Sequence, residues 1–187
     1  MNNYPYVISS FPDLLLDFER HPLDPASVIR EVKSQLSDKD AQLVNWLEYG
    51  MDGRHLSRHF YRSIRQSHND FLTAWFEFDR KMRISKVAFL EGQPFPEEFP
   101  ELEKAEIIFK VDDLFQREKL LDNLSWNKAA ELVEFDVLDL NIILSLLVRL
   151  HIVARWNRLD PSTGGQMFQQ LVGEVRGTFK GINAEQL

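Results

Sequence analysis

The stretch IILSLLVRLHIVARW, residues 142–156, constrains this chain more than any other. Its apolar residues fall on every side of a helix, which marks a helix buried within a bundle. A membrane crossing needs about 20 predominantly apolar residues. Here the uncharged run from Leu140 to Val148 is only nine residues long. Asp136 and Asp139 flank it on one side, Arg149 and Arg155 on the other. The expectation is a core helix starting near Asp136 or Asp139 and ending at Arg155 and Trp156, with no direct membrane insertion. The N-terminus, MNNYPYVISSFPD, has neither a basic lead nor a long apolar run, so no secretory signal is expected and the protein is read as cytoplasmic.

Helix signals dominate the rest. Asp24-Pro25 reads as an N-cap followed by proline at the first helical position, opening a helix to about Gln35. Ser37 caps a second helix with Leu43, Trp46 and Leu47 on one face and Gly50 as its stop. From Arg54 to Glu91 there is neither glycine nor proline. An unbroken helix there would reach about 57 Å. Asn and Asp favour caps over helix interiors, so Ser67–Asp70 is a possible break, but one long helix or two collinear ones is the preferred reading. GQPFPEEFP, residues 92–100, holds three prolines and is a loop and the candidate internal boundary. ELEKAEIIFKV then reads as helix, with a short strand at IIFKV as the alternative. Asp112-Asp113 opens the helix LFQREKLLDNLSW, and residues 127–133 form another short one. A last helix, GQMFQQLVGEVRGTF, buries Met167, Phe168, Leu171, Val172 and Val175. The fold class is therefore all-α, a multi-helix bundle of about seven to nine helices with one very long member. Residues 1–187 form a single helical domain of a size that buries a substantial core, with fourteen Phe to fill it.

A net charge of −7 and the absence of cysteine narrow the function. The first argues against nucleic acid as a partner, and the second removes disulfides, thiolate nucleophiles and Cys-ligated zinc. The charge is unevenly spread. Residues 53–90 carry eight basic and three acidic side chains, whereas residues 91–139 carry five and fourteen. Either the two regions compensate each other in the fold, or each faces a different partner.

Arg54, Arg58, Arg62 and Arg65 recur at helical spacing and form a stripe able to hold phosphate or an acidic protein surface. The alternative is a solvated face. His55 and His59 are four apart, a metal-ligand spacing, but no glutamate lies between them and arginines surround them. Two surface histidines are expected, and neither metal nor cofactor. Arg149 lies in the apolar helix and needs a carboxylate or a route to water. Asp122, Glu118 and Glu131 are the candidate partners of a structural ion pair. If that pair is fully buried, Arg149→Ala would cost about 3–5 kcal/mol. No G-x-S-x-G, P-loop or G-x-G-x-x-G is present, so no enzyme is expected.

DDLFQREKLLDNLSW at 112–126, FDVLDLNIILSLLVRLHIVARWNRLD at 135–160 and YPYVISSFPDLLLD at 4–17 together resemble an uncharacterised bacterial family, typical of Bacteroidetes. That family is encoded among subunits of a V-type (archaeal-type) ATP synthase. It is distantly similar to the C subunit of those enzymes, called d in eukaryotes, an all-helical funnel that seats the central rotor shaft on the membrane ring. A full C subunit has three helical domains, so this chain would correspond to part of one. The resemblance implies a soluble, non-catalytic subunit of a V-type ATPase complex concerned with ion transport. Its partners would be the rotor shaft and the membrane ring, and it would be peripheral to the inner membrane through protein contacts. The alternative is a cytoplasmic helical adaptor unrelated to any ATPase, and a third class is an enzyme using the histidine pair.

Overall fold

The computed structural model describes residues 3–19 and 23–158. Among these residues there are eight α-helices, one 3-10 turn and no strand. They are α1 (Tyr4–Ser10), α2 (Pro25–Ser34), α3 (Asp38–Met51), the turn Gly53–His55, α4 (Arg58–Gln66), α5 (Asp70–Leu90), α6 (Leu102–Phe109), α7 (Leu114–Glu131) and α8 (Leu140–Arg158). The helix expected at 165–179, with Met167 to Val175 as its stripe, lies outside the described residues.

Local chemistry places most helix starts. Asp24 accepts from the Ala26 N–H at 3.1 Å with Pro25 in the first turn. Ser37 Oγ accepts from Asp40 N–H, Asp113 Oδ1 from Phe115 and Gln116, and Asp139 Oδ1 from Ile142. Each cap satisfies a backbone donor that the first turn leaves open. α5 stops where Gly92 takes φ +65, with Gln93 N–H reaching Ala88 O and Gly92 N–H reaching Phe89 O. This is a glycine-terminated end of the Schellman type.

α8 is the hub. It packs on α1, α2, α3, α5 and α7. Ile143, Leu144, Leu147, Val148 and Leu150 are fully buried. Burying each such side chain contributes about 1.5–3 kcal/mol. α8 has the length and apolarity of a membrane span, but most of that apolar surface is covered by the other helices. It also continues past Trp156, to Arg158.

Three expectations are corrected. Residues 54–91 are not one long helix, nor two collinear ones. His68 takes φ +56, and Asn69 caps α5 by accepting from Leu72 N–H at 2.8 Å. The Asn69 amide also donates to Asn141 at the start of α8, at 2.9 Å. The rings of Phe60 and Phe76 lie 4.9 Å apart. On one straight helix, residues sixteen apart would be separated by about 24 Å, so α4 folds back on α5. The longest described helix is α5, with 21 residues.

Gly50 is not a stop either. It lies inside α3, buried, and a Cβ there would collide with the ring edges of Phe60 and Phe76. Its missing side chain is what lets α3 meet the α4–α5 corner closely. Finally, residues 127–131 do not form a separate helix. They complete α7. The segment IIF at 107–109 is helical, in line with the preferred reading and against the alternative strand.

The proline-rich loop is tied down rather than free. The Arg80 guanidinium donates to both carboxylate oxygens of Glu97, at 2.9 and 2.7 Å, and to Glu77 on its own helix. Beyond the loop, the Phe109 ring packs on Phe89 at 5.5 Å, and Lys128 pairs with the buried Glu101 at 2.7 Å.

Candidate partner-binding site

α4 reads RHFYRSIRQ and is strongly two-sided. Phe60 and Ile64 are buried, while Arg58, Arg62 and Arg65 are exposed on another face. Arg58 and Arg62 meet no carboxylate among the described residues, and Arg65 comes only to 3.8 Å from Glu77. Arg54 leaves the expected stripe. It belongs to the turn before α4 and folds back on Asp52, whose carboxyl is held well below the usual carboxylate range by that guanidinium. The stripe therefore has three arginines, not four.

The histidine pair separates in the same way. His55 lies in the 3-10 turn, its ring stacked on Tyr49 at 4.0 Å and its Nδ1 2.9 Å from the Tyr49 carbonyl oxygen. His59 lies on α4, beyond the Ser57 cap. They do not share a helix face, and no group of three metal-ligating side chains occurs among the described residues.

Between α3 and α4 opens a cleft of about 300 Å³. Trp46, Tyr49 and Phe60 wall it, with Gln42, Asn45 and His59 at its polar edge. The three rings lie 5.9 to 6.4 Å from one another. Phe60 forms the floor, since it is buried, while Tyr49 is 48% exposed. Sequence periodicity put Leu43, Trp46 and Leu47 on one face. Leu47 is fully buried, but Trp46 is only partly covered and faces the cleft. Arg58 precedes His59 on α4 and Arg62 follows it by one turn. Aromatic walls beside unpaired guanidinium groups suit an apolar anchor flanked by carboxylates.

The acidic candidates Glu118 and Asp122 are paired, but not with Arg149. Arg155 donates to Asp122 Oδ1 at 3.0 Å and to Glu118 Oε2 at 2.5 Å. The Trp156 indole N–H donates to Asp122 Oδ2 at 2.6 Å, and Lys86 of α5 reaches Glu118 at 3.1 Å. Glu131 instead meets Lys128 at 2.9 Å. Arg149 lies over the Trp126 ring, 5.3 Å from its centroid, with its Nε buried and without a hydrogen bond. Burial pushes its pKa below the ordinary arginine value.

The reason is register. α7 and α8 run antiparallel, and Ser145 Oγ donates to Ala129 O at 2.6 Å. One turn on from Ser145, Arg149 therefore faces a residue one turn back from Ala129, which is Trp126. Of Arg149 and Arg155, only Arg155, farther along, reaches Glu118 and Asp122. Burial pushes the Asp122 carboxyl above the ordinary range, against the pull of Arg155 and Trp156. Burial also opposes the charge of Glu118, but hydrogen bonds from both Lys86 and Arg155 outweigh it and hold its pKa low. The two differ because Glu118 is less covered and has two cationic partners. This cluster joins α5, α7 and α8 and is structural.

A further feature was not anticipated from sequence. The loop between α7 and α8 exposes Phe135 at 91% and Val137 at 80%. Glu134 and Asp136 alternate with them, and neither carboxylate meets a partner among the described residues. The signal available was the alternation EFDVLD itself, which gives a large apolar side chain between charges.

No match is found among curated proteins or among solved structures. Residues 93–178 match a family model described as "Protein of unknown function (DUF2764)", a stretch that takes in α6, α7 and α8.

Proposed function

We propose that this chain is a non-catalytic subunit of a V-type ATP synthase or ATPase, similar to part of the C (d) subunit, that links the central rotor shaft to the membrane ring. The resemblance at 112–126 and 135–160 motivates the reading, and the all-helical bundle agrees with it. The observation that supports it best is a pair of exposed surfaces of opposite sign on one packed scaffold. Arg58, Arg62 and Arg65 form the first, and Glu134, Phe135 and Val137 with the half-buried Asp136 the second. A connector needs two such surfaces, and packed helices transmit force between them because a close-packed core deforms little. In this reading the protein stays peripheral to the inner membrane through protein contacts.

The test is affinity capture of the tagged chain from membranes that contain the complex. Recovery of shaft and ring subunits, reduced by Arg58→Glu/Arg62→Glu, is the expected result. Recovery of none by the wild-type chain would refute the rotor reading. The α3–α4 cleft keeps a second reading open, a helical adaptor unrelated to any ATPase, because an aromatic cleft beside arginines serves acidic partners of any origin. In that case the same capture returns other proteins, and loss on Arg58→Glu/Arg62→Glu persists.

A further inference from the structure

The cleft and the exposed loop are complementary to each other. The cleft has three aromatic walls, and Arg58 and Arg62, on either side of its edge residue His59 along α4, meet no carboxylate among the described residues. The loop offers one phenylalanine that is 91% exposed, between two carboxylates that meet no cation among the described residues. Phe135 does not fill the cleft of its own molecule, because it is exposed while that cleft stands open. A phenylalanine left in water forgoes the burial of about 150–250 Å² of surface. The loop is a poor membrane anchor, since Glu134 and Asp136 would be repelled by an anionic leaflet.

We infer that the occupant is a second copy of this chain: Phe135 of each copy enters the Trp46–Tyr49–Phe60 cleft of the other, with Glu134 and Asp136 against Arg58 and Arg62. The exchange is reciprocal, so the contact closes as a two-fold dimer instead of propagating into a filament. Opposite charge sets the register and apolar insertion supplies the anchor, the usual division of labour in an interface. Two inserted rings and four ion pairs make a small contact, so a reversible dimer in the micromolar range is expected. The dimer would cover Arg58 and Arg62 and so would withhold them from any other partner. The inference does not require the ATP synthase reading.

The experiment is sedimentation equilibrium on the purified full chain from low micromolar concentration upward. The expected result is a mass rising from one chain toward two, with dissociation strengthened by added salt. Phe135→Ser should weaken association by about tenfold or more, the effect of truncating a buried anchor. Arg58→Glu/Arg62→Glu alone and Glu134→Arg/Asp136→Arg alone should each be monomeric, because each sets like charges against one another. Mixed together they should form a heterodimer, since both contacts are then attractive. Circular dichroism checks the fold, and Arg58→Gln/Arg62→Gln replaces the reversal if α4 is disturbed. A wild-type chain that stays monomeric overturns the inference. So does a dimer unaffected by these changes, or a mixture of the two charge variants that does not associate.

Discussion

Replacing Asp122 with alanine tests whether the α7–α8 seam depends on its buried carboxylate. Asp122 is 6% exposed and accepts from the Trp156 indole N–H at 2.6 Å and from Arg155 at 3.0 Å. A hydrogen bond to a charged group contributes about 1.5–3 kcal/mol, and truncation leaves the buried indole N–H without a partner. The Arg155 side chain is 40% exposed and keeps Glu118, so its share is closer to a surface pair, about 0–1 kcal/mol. Part of the loss is recovered because the carboxylate no longer has to be desolvated. The net expectation is about 2–3 kcal/mol of lost stability. For a chain of this size that lowers the Tm by about 4–12 °C. Asp122→Asn retains an acceptor for the indole and should lose only about 1 kcal/mol.

The pH dependence has a definite sign. Burial raises the Asp122 pKa in the fold, so the native state holds that proton more tightly than the unfolded chain does. Its stabilising contribution is fullest below the ordinary aspartate range and shrinks as pH rises through its folded pKa. The gap between wild type and Asp122→Ala should therefore be widest in acid and narrow toward neutrality. Urea unfolding followed by circular dichroism at several pH values measures both effects. A change under about 0.5 kcal/mol for Asp122→Ala would refute the reasoning. So would a gap that widens with rising pH.

Arg149→Ala should change stability by no more than about 1 kcal/mol, because it removes a contact with Trp126 and leaves no carboxylate orphaned; a loss of 3 kcal/mol or more on urea unfolding would point to a missed anionic partner. Gly50→Ala should destabilise by about 1–3 kcal/mol despite its better helix propensity, since Phe60 and Phe76 must move aside; an unchanged Tm would count against the close approach of α3. Arg80→Met should increase hydrogen exchange in residues 92–100, and acid should do the same to the wild type. Glu77 and Glu97 have pKa values held low by Arg80, so the stability they contribute is present above the ordinary glutamate range and lost as pH falls through their folded values. Exchange in that loop unchanged by either treatment would refute the clamp.

The helical class, most helix starts and the central place of α8 were determined by sequence alone. Each rests on a local or periodic signal. Asp24, Ser37, Asp113 and Asp139 cap donors within three residues of themselves, and the all-round apolar pattern of 142–156 requires cover whatever supplies it. What the tertiary structure decided involves residues far apart in the chain. A break at Ser67–Asp70 had a local signal in the Asn69 cap, but the reversal there is held by Asn141 and by Phe60 packing on Phe76. Glu118 and Asp122 were recognisable as buried-pair candidates, but the Ser145–Ala129 bond sets the register that brings Arg155 to them and Arg149 to Trp126. Gly50 and Trp46 followed the same rule: helical periodicity gave their angular position on α3, but only the angle at which α4 crosses determines whether that side is filled, crowded or left open as a cleft.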